Sequence, residues 1–367
     1  MRSLLLNMFA AARAAVTAQA VMPRDLPPGR LTGIAVGKGA AGMMAAAQAR
    51  AVGPLPGLVV VPYGQGAVSW PSVEVIEASH PVPDANSVRA AQRALEIARG
   101  LGEGDRLLLL LSGGGSALMA LPAPGVTLEE KQAVTRELLR SGAPIGEVNA
   151  VRARLSGIKG GKLAEAAFPA AVTNWIVSDV PGNDPARVAS GPGLRDGLDV
   201  EVSLLACGAD ALAAGARVAE QAGYRVIDLG DAIEGDAEAL ARDHARLVTS
   251  GRLAILSGGE ASVAVRGEGR GGRNLHYLLA LAVALDGRPG VSAIACDTDG
   301  IDGSSDAAGA MLFPDTLARA WALGLDARDH LARCDAHGFF AALGDLVVTG
   351  PTGVNVNDFR AILVDQA

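Results

Sequence analysis

Three cysteines in 367 residues are too few for a disulfide framework. Cys207, Cys296 and Cys334 lie far apart, with no Cys-x-x-Cys and no nearby histidine pair, so a zinc site is excluded as well. Free thiols in a reducing compartment are expected, and hence a cytoplasmic protein. Aromatic residues make up only 3% of the chain, which leaves little to stack nucleic-acid bases. A net charge of −7 excludes a general polyanion-binding surface, so nucleic acid is not an expected partner. Any anionic ligand must be held by local basic residues and backbone N–H groups. Beyond the N-terminus no uninterrupted apolar run reaches the length of about 18 residues that a membrane span needs. Met1 to Val21 carries Arg2 and Ala-x-Ala patterns and loosely resembles a signal peptide. Asn7 and Arg13 interrupt it, however, and it reads better as an amphipathic helix stopped before Pro23.

Standard catalytic signatures are also missing. Gly33 to Lys38 and Gly157 to Lys162 each fall one residue short of the Walker A spacing. Gly114-Gly115-Ser116-Ala117-Leu118 misses the nucleophile elbow by its last residue.

What is present begins with residues 107–118, Leu-Leu-Leu-Leu-Leu-Ser-Gly-Gly-Gly-Ser-Ala-Leu. Five leucines between turn signals predict a strand buried on both faces. It runs into Ser112, Gly113, Gly114, Gly115 and Ser116, a loop whose glycines let the backbone approach a ligand. An anion on the carboxyl edge of a parallel sheet would sit there. A tight turn without a ligand would carry the same letters. Ser257, Gly258, Gly259 and Glu260 follow a second apolar run and repeat the form.

Upstream, a strand over Leu31–Val36 leads into Gly37-Lys38-Gly39-Ala40-Ala41-Gly42 and a helix. Literally this is a dinucleotide fingerprint. The fingerprint also needs a carboxylate at the end of the next strand, and Gly57–Val61 ends instead in Pro62-Tyr63-Gly64. Lys38 suits another task, neutralising phosphate oxygens among backbone N–H donors. His80, between a strand and two prolines, could line a site or be structural. The stretch from Asn149 to Lys162 holds four cations, Arg152, Arg154, Lys159 and Lys162, which could face an anion or form a solvated helix face.

Carboxylates close other strands. Asp179 follows a strand over 171–178, and Asp297, Asp299 and Asp302 follow one over 291–296. A carboxylate at such an edge can serve as general base or magnesium ligand, or simply cap its own turn. Asp184, before Pro185, looks like the turn. Arg270 and Arg273 stand in a glycine-rich loop that opens a helix, where a guanidinium suits bidentate contact with phosphate or carboxylate. Anion donors combined with carboxylates describe phosphoryl transfer, which needs positioning and charge neutralisation more than covalent chemistry.

Length predicts two domains, drawn here as residues 1–240 and 241–367, with the boundary inside 235–252. Half the residues are hydrophobic and 19% charged, so a large core can form.

The chain resembles the type 2 glycerate kinases, the glycerate 2-kinase family, some members of which carry the name hydroxypyruvate reductase. The resemblance rests on Val36–Met43, Ser112–Ser116, Asn149–Lys162, Ser178–Gly182, Ala189–Pro192, Ser257–Glu260, Gly271–Asn274, Thr298–Gly303 and Gly350–Asp358. It implies an α/β fold of two domains: an N-terminal Rossmann-like α/β/α sandwich with a mostly parallel sheet, and a smaller C-terminal α/β domain of the MOFRL type. The active site would lie in the cleft between them. It further implies ATP-dependent phosphorylation of D-glycerate at the 2-hydroxyl, with ATP and Mg2+ as cofactors. Functional weight falls on Lys38, Asp179, Arg273 and Asp299, with Asp179 and Asp299 as metal ligands and Ser112–Ser116 and Ser257–Glu260 as the nucleotide loops. A small-molecule acceptor and a nucleotide are the expected partners, and a homodimer stays open. The alternative is an NAD(P)H-dependent hydroxypyruvate reductase. Leu275 and His276 depart from the Gln-Glu that commonly follows Gly-Gly-Arg-Asn in the family, and Ile301 stands where threonine is usual.

Overall fold

A computed structural model describes residues 1–140, 151 and 154–366. It divides into two compact units. One comprises Ala18–Ser178 and Asn183–Leu205; the other comprises Met1–Thr17, Asp179–Gly182 and Ala206–Ala367.

The first unit is built on a six-stranded sheet of order β3-β2-β1-β4-β5-β6. Its strands are β1 Arg30–Val36, β2 Gly57–Pro62, β3 Val73–Ala78, β4 Asp105–Leu111, β5 Ala171–Val177 and β6 Val200–Ala206. Strands β1 to β5 pair in parallel. This is the order of the dinucleotide-binding Rossmann sheet, whose switch point lies where the chain doubles back between β1 and β4. The five leucines of β4 are fully buried, as a strand covered on both faces requires. Burial of each stabilises the sheet by about 1.5–3 kcal/mol, which anchors the loop that follows. Register sets where that loop sits: Val36 pairs with Leu111, so Gly37 and Ser112 leave the sheet side by side.

The second unit carries a mixed sheet of order β13-β12-β11-β14-β9-β7. Its strands are β7 Arg225–Asp228, β9 Gly251–Ser257, β11 Val291–Asp297, β12 Gly309–Leu312, β13 Leu346–Val347 and β14 Asp358–Gln366. A two-stranded ribbon pairs β8 Ile233–Asp236 with β10 Gly259–Ser262. Strand β14 runs antiparallel to both β11 and β9.

Residues 206–240, placed with the first domain on sequence grounds, pack in the second unit, because β7 pairs with β9 in the mixed sheet. The N-terminal helix is there too. Helix Arg2–Ala15 buries Leu5, Met8, Phe9 and Ala12, a stripe at helical spacing, and packs on helix Gly208–Gln221. Phe9 meets the Phe359 ring of β14 with centroids 5.9 Å apart. Helix Ala237–Arg246 starts where Asp236 caps it, accepting from Ala239 N–H at 2.9 Å. The preceding residues extend into β8. No helix among the described residues is long and apolar enough to cross a membrane.

Candidate active site

In the first unit, the turns after β1 and β4 interlock. Ser112 N–H donates to the Val36 carbonyl at 3.1 Å, and Lys38 N–H to the Gly113 carbonyl at 2.9 Å. Gly39 N–H donates to the Ser112 hydroxyl at 3.0 Å. Gly37 has φ +129° and no room for a Cβ, which would overlap Ser112. Gly114, at φ +83°, brings Lys38 and His80 together: a Cβ there would lie 3.1 Å from His80 Cδ2 and 3.5 Å from Lys38 Cγ. Lys38 is half-buried and His80 exposed. The two glycine turns and Lys38 are thus packed together at the switch point of the sheet.

Two residues not weighted by sequence reasoning join this cluster. The Lys159 ammonium donates to the Ser116 hydroxyl at 2.6 Å, and Ser116 Oγ lies 2.9 Å from Ser190 Oγ. Lys159 is buried, unlike the other described cations of its stretch: Arg154 is exposed, and Lys162 bonds the Ser156 carbonyl. Asn149 and Arg152 lie outside the described residues.

The Ser257–Glu260 motif does not repeat the first loop. Ser112–Ser116 turns into a short helix, Gly115–Leu118, whereas Gly259 enters β10 and pairs with Ile233. Gly258 N–H already donates to the Gly230 carbonyl at 2.9 Å, and its carbonyl accepts from Arg360 at 3.1 Å. Shared letters therefore conceal different backbones. Only Glu260 of this motif presents charge, 3.5 Å from Arg273.

The charged centre of the second unit follows from strand register. Antiparallel pairing of β11 with β14 sets Asp297 directly opposite Asp358. Two facing carboxylates repel, so the pair requires cations. Arg273, at the start of helix Arg273–Leu285, bridges them: Nε donates to Asp358 at 2.8 Å and Nη2 to Asp297 at 2.9 Å. Arg360 is fully buried and pairs with the other Asp358 oxygen. Asn274 adds a third side-chain donor to Asp358 at 2.7 Å. Burial works against the Asp358 charge, but Arg360 and Arg273 outweigh it and hold the carboxyl below its usual range. Burial likewise opposes the Arg273 charge, and Asp358, Asp297 and Glu260 more than offset it, so the guanidinium stays protonated.

Three carboxylate partners change what can be expected of Arg273. Its guanidinium is organised as a brace between β11 and β14, and its side chain is 24% exposed.

Asp299 follows on the same loop, buried, with Oδ1 accepting from Ile301 N–H at 2.8 Å. Its neighbour Thr298 bonds the Asn357 carbonyl at 2.7 Å. Asp179 belongs to the same unit and accepts from Asn355 Nδ2 at 3.0 Å, while Asn357 Nδ2 bonds its carbonyl. The 355–357 segment thus links the surroundings of both aspartates. Within the Gly350–Asp358 motif, these asparagines are the residues that touch Asp179. Asp184 closes its own turn, accepting from Ala186 N–H at 2.9 Å.

Among the described residues no three His, Cys, Asp or Glu side chains cluster as a metal cage. Magnesium does not demand one. It is usually held by one or two carboxylates with waters and substrate phosphates, and Asp179 and Asp299 are hard oxygen donors of that kind. The glycines of the first unit's turns let the two backbones and Lys38 approach one another where a Cβ would intrude.

Asp302 acts on the helix of Arg273. Its carboxylate caps that helix, accepting from Asn274 N–H at 3.0 Å and Leu275 N–H at 2.8 Å. Burial pushes the carboxyl up to about 6, against the pull of those N–H groups. Stability from this group is full below the unfolded carboxylate pKa of about 3.9 and is lost as pH rises through the folded value. A rise of this size is worth about 3 kcal/mol. Denaturant titrations of Asp302→Asn at pH 4 and pH 7 should therefore show a stability change between them about 3 kcal/mol more favourable to neutral pH than that of the wild type. Parallel curves for the two proteins would refute the assignment. Beside this cap, Leu275 is buried in the core and His276 faces Glu238 at 3.4 Å, so the departure at 275–276 is absorbed by packing and one polar contact.

Fold and site together define a two-unit α/β protein with interlocked glycine turns beside Lys38 on a Rossmann-ordered sheet and a braced carboxylate centre on a mixed sheet. A family model described as a domain of unknown function (DUF4147) matches residues 4–213, and that of the MOFRL family matches residues 253–358. D-glycerate 2-kinase of Thermotoga maritima is 36% identical, over 89% of this chain and 88% of its own. A crystal structure of a glycerate kinase from Thermotoga maritima superposes with a TM-score of 0.90 at 33% identity, covering 99% of each chain. A protein of Agrobacterium vitis, provisionally named hydroxypyruvate reductase, is 43% identical over 99% of this chain and 94% of its own. The chain belongs to the glycerate 2-kinase family and is an enzyme of the phosphotransferase class.

Proposed function

We propose that the protein transfers the terminal phosphoryl group of ATP to the 2-hydroxyl of D-glycerate, giving 2-phosphoglycerate and ADP in the cytoplasm. The observation that carries this reading is the pair of glycine turns at the β1/β4 switch point, where Lys38 and the glycines of Ser112–Ser116 meet. The names of the Thermotoga relatives support the acceptor.

The glycine turn of Ser112–Ser116 would lie against the phosphate oxygens, and Lys38 would neutralise charge on the group in transfer. Asp179 or Asp299 would accept the proton of the acceptor hydroxyl. The other would hold magnesium, which when bound supplies charge neutralisation on the phosphate oxygens. Asn355 would orient Asp179 through its 3.0 Å bond. Arg273, braced by Asp297 and Asp358, would fix the edge of the carboxylate centre and direct its remaining face at the reactants. ADP release should require D-glycerate and magnesium together and should stop on adding EDTA. Release that is indifferent to D-glycerate would rule out this acceptor.

The second reading, an NAD(P)H-dependent hydroxypyruvate reductase, is favoured by Gly37-x-Gly39-x-x-Gly42, which follows β1 and runs into the first turn of helix Ala40–Gln48. Strand β2 ends at Pro62 without the carboxylate that a ribose needs. Oxidation of NADH by hydroxypyruvate at a rate matching ADP release would favour it.

A further inference from the structure

We propose that Lys159, Ser116 and Ser190 form a one-way hydrogen-bond relay that presents the Ser190 hydroxyl as a donor to an oxyanion, either a nucleotide phosphate or the acceptor carboxylate. The identity of the anion rests on the phosphoryl-transfer reading; the relay itself rests on geometry.

An ammonium can only donate. Lys159 Nζ lies 2.6 Å from Ser116 Oγ, so Ser116 is the acceptor in that contact. Accepting from a buried cation polarises the serine and makes its own proton a better donor. The only other oxygen bonded to it among the described residues is Ser190 Oγ, at 2.9 Å. The proton order is then Lys159 to Ser116 to Ser190, and the Ser190 proton is left to point outward from the end of the chain.

The surrounding backbone is arranged around this contact. Ala189 and Ser190 have φ of +50° and +63°, and Gly191 follows at +56°. Left-handed backbone favours glycine, and residues of other types held there tend to gather at functional sites. Glycine is present at 191 but not at 190, where the hydroxyl is what the serine adds. Gly160 N–H donates to the Ser190 carbonyl at 3.0 Å and Gly161 N–H to that of Gly191 at 2.9 Å, so the segment bearing Lys159 itself holds the loop. Gly115 allows the two turns to touch, since a Cβ there would lie 3.0 Å from Ala189 Cβ. Lys159 is 3% exposed, and its charge reaches the site through Ser116.

The test separates the hydroxyl from the backbone. Ser190→Gly relieves the left-handed strain and removes the donor. It should melt at or above the wild-type temperature yet raise the KM of one reactant by about 10-fold or more, the loss of one charge-assisted hydrogen bond. Turnover at saturation should change by about threefold or less. A rise confined to ATP assigns a phosphate, and one confined to D-glycerate assigns the carboxylate. Lys159→Met should raise the same KM, and Lys159→Arg should restore part of it. Ala189→Gly should raise the melting temperature with both KM values unchanged. Calorimetric titration with inorganic phosphate, ADP and D-glycerate makes the comparison without turnover, so a failure of the kinase reading is seen separately, in the wild type's activity. Wild-type affinities in Ser190→Gly, or a wild-type protein that binds none of the three probes, would overturn the relay.

Discussion

Replacement of Lys38 by alanine is expected to lower kcat by about 10²–10³-fold and to leave the melting temperature in place. The magnitude is that of removing one preorganised donor to developing charge, about 2.7–4 kcal/mol of transition-state stabilisation. The fold is expected to survive because what locks the turn is main-chain. Lys38 N–H still reaches the Gly113 carbonyl, and Gly39 N–H still reaches Ser112. Only the half-buried side chain is removed. Stopped or steady-state assays of ADP release, with a thermal melt of the same preparation, separate the two effects. An unchanged kcat would remove Lys38 from the chemistry, and a collapsed melt would make it structural.

The second large effect is on stability. Asp358 accepts from Arg273, Arg360 and Asn274, and from Ala261 N–H at 3.3 Å. Arg360 is fully buried, with its guanidinium 5.3 Å from the Tyr277 ring centroid. Asp358→Asn takes away the charge that compensates it, and breaking a buried pair from one side costs about 3–5 kcal/mol. For a unit of this size that corresponds to a drop of roughly 10 °C in melting temperature. Adding Arg360→Met to the same chain should recover part of the loss, because the stranded cation goes with it. Denaturant curves of the three proteins measure both steps. A single variant within about 1 kcal/mol of wild type would show that Arg273 and Arg360 do not depend on Asp358.

These two residues also mark what could be read from the letters. Lys38 was legible because its setting is local: an apolar strand, three glycines and a helix in one continuous stretch. The leucines of β4 were legible for the same reason. Asp358 was not. Its partners come from β10, from β14 itself and from the start of helix Arg273–Leu285, and only antiparallel register brings Asp297 opposite it. No spacing along one strand encodes that pairing. Arg273 stands out in the sequence by its glycine-framed helix start, but its three carboxylate partners come from β10, β11 and β14 and are not local to it. The second Ser-Gly-Gly motif takes a different backbone for a related reason: Gly259–Ser262 pair with β8, a partner that no local spacing encodes. Lys159 shared its stretch with three other cations, and nothing local distinguished the buried one. The N-terminal helix was recognised by its stripe, while its place in the second unit depends on Phe359, more than 300 residues away.

The central claim is that this chain phosphorylates the 2-hydroxyl of D-glycerate. Incubation with ATP, magnesium and D-glycerate, followed by enolase alone and then by enolase with phosphoglycerate mutase, tests it most directly. A signal with enolase alone is the predicted result, because only 2-phosphoglycerate is its substrate. A signal that appears only after the mutase is added, or NADH oxidation with hydroxypyruvate and no signal from either coupling, would contradict it.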